Sequence, residues 1–181
     1  MKSNKRGASL VEFALCFIVF VMVILAIIDF GRYFWVQHNL NLIAAEAVRA
    51  GITAQRYERD IGSGTVTKLQ REQTIRVAAI EAANRFAKGL VDLGTVNPYS
   101  PKNITIEHSD SDNSYTSQNL SSLSWAAGPG DYDDLMRVTV TADFKWLTPF
   151  MQWLGASASL NTLTASNVQR NRGDEDEFTT N

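Results

Sequence analysis

"RGASLVEFALCFIVF", residues 6–20, sets one acid, Glu12, inside an otherwise apolar run, and the reading of that run decides the architecture. From Ala8 to Ile28 only Ser9 and Glu12 interrupt the apolar residues. A helix rising about 1.5 Å per residue over this stretch is long enough to cross a hydrocarbon core of about 30 Å. Lys2, Lys5 and Arg6 precede the run, and Phe30, Tyr33, Phe34 and Trp35 follow it. Basic flanks favour the cytoplasmic side, while Tyr and Trp favour the depth at which a chain leaves lipid. The pattern predicts a single membrane span over 8–28, with the N-terminus in the cytoplasm and the remainder outside.

A cleaved secretory signal fits poorly. Its apolar region is roughly 7 to 15 residues long and ends in a small-x-small site, whereas this run is longer and leads into "IIDFGRYFW". A carboxylate at the centre of a membrane helix costs about 2.5 to 3.5 kcal/mol and less near an end. Glu12 is therefore either a helix-end acid reaching the headgroups of a plain anchor, or an acid with a partner inside the apolar layer.

Composition narrows the rest. The 181 residues carry a net charge of −2, and three of the positive charges lie before the apolar run, so the body is mildly acidic. A clustered basic surface is what nucleic-acid binding needs, and a mildly acidic body gives no support for it. Cys16 is the only cysteine, so no intramolecular disulfide can form. His38 and His108 have no Cys, Asp or Glu beside them at metal-ligand spacing. There is no G-x-S-x-G, H-E-x-x-H or P-loop, so the sequence predicts no catalytic residue, no metal and no cofactor.

Past the span the helical pattern continues. Tyr33, Val36, Leu40, Ile43, Ala47 and Ala50 recur at steps of three or four, which predicts an amphipathic continuation over 29–52. Asp29 and Arg32 sit one turn apart on a polar face, and Gly51 is placed to cap the helix end.

Basic residues, then Gly7, then Glu12 followed by Phe13: this spacing resembles the prepilin-peptidase site of type IV pilin-like precursors. "DFGRYFWVQHNLNLIAAEAVRAG", residues 29–51, resembles the TadE family of pseudopilin-like proteins of tight-adherence (Tad, Flp) pilus systems. The family's Asp-x-Gly-Arg element falls on Asp29, Gly31 and Arg32, and its Arg-Ala-Gly element on Arg49 to Gly51. The resemblance implies a leader over 1–7, cleavage between Gly7 and Ala8, and Glu12 as the fifth mature residue with a role in subunit registration. Flp pilins usually have tyrosine after the glutamate; Phe13 keeps the ring and loses the hydroxyl. It further implies a structural, non-enzymatic role in pilus assembly, adhesion and secretion. Its partners would be a prepilin peptidase, TadF-like and Flp-like subunits and the inner-membrane assembly platform. A new α-amino group, largely protonated at neutral pH, would need a counter-charge in an apolar bundle, and the Glu12 carboxylate of a neighbouring subunit could supply it.

Residues 53–170 read as an α+β outer domain and 171–181 as a polar tail. Residues 53–67 connect to a second helix over 67–88, with Ile75, Ala79, Ala82 and Phe86 on one stripe and Arg71, Glu72, Arg76, Glu81 and Arg85 on a solvated face. "NITIEH" (103–108) and "MRVTVTADFKW" (136–146) alternate as strands of an antiparallel sheet, and "LNTLTASNV" (160–168) is a third. Between the first two lies a polar loop, where Asp110 and Asp112 begin like a calcium loop but lack its glycine and final glutamate. Asp131, Asp133 and Asp134 read as solvated. "WLTPFMQWLG" (146–155) predicts a short helix capped by Thr148, with Trp146, Phe150 and Trp153 either packing on the sheet, the favoured expectation, or marking an exposed docking patch.

Overall fold

The computed structural model describes residues 5–53, 68–109, 123–130, 134–148, 152 and 161–171. The fold is α+β. Its elements in chain order are α1 (Lys5–Ile52), α2 (Lys68–Phe86), β1 (Gly94–Thr95), β2 (Ser100–Pro101), β3 (Ile104–Ser109), β4 (Ala126–Ala127), β5 (Leu135–Asp143) and β6 (Thr162–Arg170). The chain divides into two compact units: residues 1–35 with 144–161, and residues 36–143 with 162–181.

In the second unit, β4, β3, β5 and β6 form an antiparallel sheet in that order. Ile104 and Ile106 pair with Val140 and Val138, and β5 pairs with β6 from Leu135↔Arg170 to Asp143↔Thr162. Alternation puts Val138, Val140 and Ala142 of β5 and Leu163 and Ala165 of β6 inside; side chains two apart on a strand share a face. β1 and β2 make a separate two-stranded ladder. From α1, Val36, Leu40, Ile43, Ala44, Ala47 and Val48 are buried, the expected stripe. Gln37 Nε2 donates to Thr164 O at 3.1 Å.

Three expectations are corrected here, for Gly51, Arg71 and Asp134. Gly51 does not cap α1: the helix continues through it to Ile52, and Gly51 is not among the positive-φ residues. Thr53 closes the end, its N–H and Oγ1 donating to Arg49 O at 3.3 and 3.0 Å. Glycine is required at 51 for close approach, since a Cβ would stand 2.5 Å from Met136 Cε and 2.8 Å from Ile75 Cδ1. Both neighbours are fully buried, so neither has empty space to move into. Gly51→Val is expected to destabilise the fold by roughly 2 kcal/mol through overpacking, read as a lower urea midpoint of the full chain in detergent micelles.

The second correction concerns Arg71, which is not on a solvated face. It is 2% exposed, and its guanidinium donates to Gly130 O at 3.0 Å and to Pro129 O. A cation in the first turn of a helix opposes the macrodipole, and these two carbonyls compensate for it. Glu72 and Arg76 do form a surface pair at 2.7 Å. Asp134 is also buried rather than solvated, with its carbonyl accepting from Asn171 N–H at 2.8 Å. Asn171, the expected start of the tail, is itself fully buried. Asp110, Asp112, Asp131, Asp133, Phe150 and Trp153 lie outside the described residues.

Candidate functional site

Among the described residues, the apolar half of α1 buries almost none of its surface. Glu12 is exposed on the helix surface. Phe13, 67% exposed, stacks on Phe17 with centroids 6.0 Å apart. The side chains from Ser9 to Phe20 are all exposed. Gly7 and Ala8 lie within the helix, which begins at Lys5, and a Cβ on Gly7 would meet nothing within 4 Å.

At the outer end of the run the picture reverses. Asp29 is fully buried, and its carboxylate is surrounded by donors. Leu147 N–H donates to Oδ1 at 3.1 Å, while Thr148 N–H and Thr148 Oγ1 donate to Oδ2 at 3.1 and 2.8 Å. Arg32 Nη1 stands 3.7 Å from Oδ1. Burial raises the pKa of the carboxyl, but the Thr148 hydroxyl, the two main-chain N–H groups and the Arg32 charge outweigh it and hold Asp29 below the ordinary aspartate value.

The Asp-x-Gly-Arg element therefore divides its work. Asp29 holds its own chain's residues 147 and 148. Arg32 completes the ion pair and lies over the Phe144 ring, 5.6 Å from the centroid. Gly31 is exposed, and a Cβ there would meet nothing within 4 Å. Arg49 is exposed, and its carbonyl receives the Thr53 bonds that end α1.

An aromatic cluster surrounds the Asp29 site. Trp146 stacks on Tyr33 at 5.7 Å and 5°, meets Phe30 edge-on at 6.0 Å, and meets Phe144 edge-on at 5.0 Å. Such pairs each contribute about 0.5 to 1.5 kcal/mol beyond area burial. Trp146 Nε1 donates to Asn161 Oδ1 at 3.1 Å, satisfying its one polar atom. Trp146 is buried as expected, but on rings of α1. Gln152 N–H donates to Thr148 O at 2.9 Å, one helical turn following Thr148. Sequence reasoning missed this site because the donors to Asp29 lie 118 and 119 residues away, and two of the three are main-chain amides.

The second unit has an open cleft of about 440 Å³ lined by Asn84, Asp92, Asn103 and Asp143 among others. Asp92 accepts from Gly94 N–H at 3.0 Å and pairs with Lys102 at 3.4 Å, which lowers its pKa. That is the opposite of what a proton-transferring acid near neutral pH requires. Among the described residues no group of three His, Cys, Asp or Glu side chains is arranged to hold a metal.

Taken together, fold and site define a chain with one N-terminal helix long and apolar enough to cross a membrane and an α+β body. Residues 7–49 match the family model described as TadE-like protein, so the N-terminal helix is similar to that family's over this stretch. The match ends before α2 and the sheet. Comparison with curated proteins and with solved structures found no match.

Proposed function

We propose that the chain is a minor pseudopilin of a Tad pilus, processed by a prepilin peptidase between Gly7 and Ala8 and held in the inner membrane by residues 8–28 before or while it joins other subunits. The observation that carries this reading is the exposure of every side chain from Ser9 to Phe20 on a TadE-like helix. An apolar surface of that length must be covered by lipid or by other helices. Cleavage would give Ala8 a charged amine, and Glu12 of an adjacent subunit would neutralise it as the helices stack, setting the axial register. Other pseudopilins and Flp-like pilins would then be its neighbours, with the assembly platform beneath them. The N-terminus faces the cytoplasm and the α+β body lies outside. Adhesion and secretion follow from the pilus rather than from a catalytic centre in this chain.

A second reading, an unprocessed single-pass anchor carrying a protein-binding or enzymatic domain, is favoured by one observation. The Gly7–Ala8 bond lies inside helix α1, which must open locally before a peptidase can cut it.

Glu12→Ala tests the assembly reading. Removing one partner of a desolvated ion pair costs roughly 3 to 5 kcal/mol. The variant is therefore expected to stay at normal level in the membrane fraction but to fall on the order of 100-fold in pili sheared from cells, with Glu12→Gln intermediate. Equal amounts of wild type and Glu12→Ala in sheared pili would contradict the pairing.

A further inference from the structure

Leu147 is 62% exposed. Its N–H is bound to Asp29, the residue directly after Ile28 at the end of the apolar run. Side chains on a helix tilt toward its N-terminus. A group hydrogen-bonded to the Asp29 carboxylate is thus level with the last turn of the run, not beyond it. On the helix beside it, Phe30, Phe34 and Trp35 are exposed, and so is Lys145. Aromatic rings, an aliphatic side chain and a flexible cation at the edge of a hydrocarbon layer are the composition of an interfacial membrane contact.

We propose that residues 145–148 form a second contact with the lipid bilayer, in the leaflet opposite the N-terminus. Leu147 enters the boundary of the acyl chains, and Lys145 lies beside the headgroup phosphates. Asp29 acts as a positioning residue that fixes the depth of the segment, and the stack of Trp146 on Tyr33 fixes its orientation. The occupant is lipid because Leu147 is bound to the residue that directly follows the exposed apolar run, so the proposal rests on the membrane reading of residues 8–28.

The test uses the full chain with Cys16→Ala and one new cysteine at a time, Leu147→Cys, Ile18→Cys or Ser166→Cys, each carrying an environment-sensitive fluorophore. The protein is reconstituted in phosphatidylcholine and phosphatidylglycerol vesicles. Quenching is compared among nitroxide lipids labelled near the headgroup, nitroxide lipids labelled deep in the acyl chain, and aqueous iodide. The label at 147 is expected to lose most of its emission to the shallow nitroxide and little to iodide, the label at 18 to the deep nitroxide, and the label at 166 to iodide. Lys145→Cys gives an independent reading two residues away, with shallow-nitroxide quenching exceeding iodide quenching there as the expected result. Iodide quenching at 147 equal to that at 166, with 18 still quenched by lipid, would overturn the proposal and leave the span intact. Protection of 147 from all three quenchers would overturn it in favour of a protein partner. Iodide quenching at 18 would remove the span itself, and the proposal with it.

Discussion

Asp29→Ala is expected to release residues 144–148 from α1 while leaving the second unit folded. The substitution strips the acceptor from Leu147 N–H, Thr148 N–H and Thr148 Oγ1 at once, and a buried donor without a partner costs about 1 to 3 kcal/mol. Opening the segment to solvent relieves that cost, so the loss appears locally. In hydrogen exchange on the full chain in micelles, the Leu147 and Thr148 amides should exchange on the order of 100-fold faster, with amides of β5 and β6 unchanged. Asp29→Asn should fall between, because its amide has one acceptor oxygen where the carboxylate has two. Unchanged protection in Asp29→Ala would mean that the aromatic cluster alone holds the segment.

The same site sets a pH dependence of known sign. The Asp29 pKa lies below its ordinary value in the folded chain, so the open form binds more protons and closure strengthens as pH rises. The contribution is fully present above the ordinary carboxylate pKa of about 4 and is lost as pH falls through the lower folded value. Protection of the Leu147 and Thr148 amides should therefore decrease on acidification below about pH 4 in wild type, and show no such carboxylate-linked decrease in Asp29→Asn.

Arg71→Met should have the largest effect in the second unit. The substitution keeps an unbranched chain of similar volume but removes the donors to Pro129 O and Gly130 O. Pro129 O retains Asn171 Nδ2 at 3.1 Å, so the loss is concentrated at Gly130. Hydrogen bonds from a charged group contribute about 1.5 to 3 kcal/mol, and a net loss of about 3 kcal/mol is expected. A clear drop in the urea midpoint of the full chain in micelles would show it, and Arg71→Lys should recover only part because an ammonium lacks the planar fork. A midpoint equal to wild type would show that the two carbonyl bonds only offset the cost of burying the guanidinium.

What the sequence revealed depended on whether a residue's role was periodic. The apolar run, the buried stripe of α1, the alternation of β5 and the Ala-rich face of α2 all repeat at the period of their element, and each was legible. β6 was the weaker strand by composition because Thr162, Thr164 and Ser166 hold its exposed positions, yet it pairs with β5 along its full length. β1, β2 and β4 are two residues each, too short to show any period. Arg71 was misread because its partners are carbonyls, which carry no side-chain signature, and its neighbours alternate in charge like a solvated face. Gly51 drew attention by standing at the end of a pattern, whereas its contacts with Ile75 and Met136 are long-range. The Asp29 element was visible as a motif, but the carboxylate's destination was not, since nothing local in the sequence joins position 29 to positions 147 and 148.

The mature N-terminus tests the functional account most directly. Intact mass and the N-terminal residue should be determined for the chain from cells with and without their prepilin peptidase. A chain beginning at Ala8 in the first and retaining Lys2 to Gly7 in the second is the expected result, and it would supply the amine that Glu12 is proposed to neutralise. A chain that keeps Lys2 to Gly7 in both strains would contradict processing and leave residues 8–28 as a plain anchor with a headgroup-facing acid.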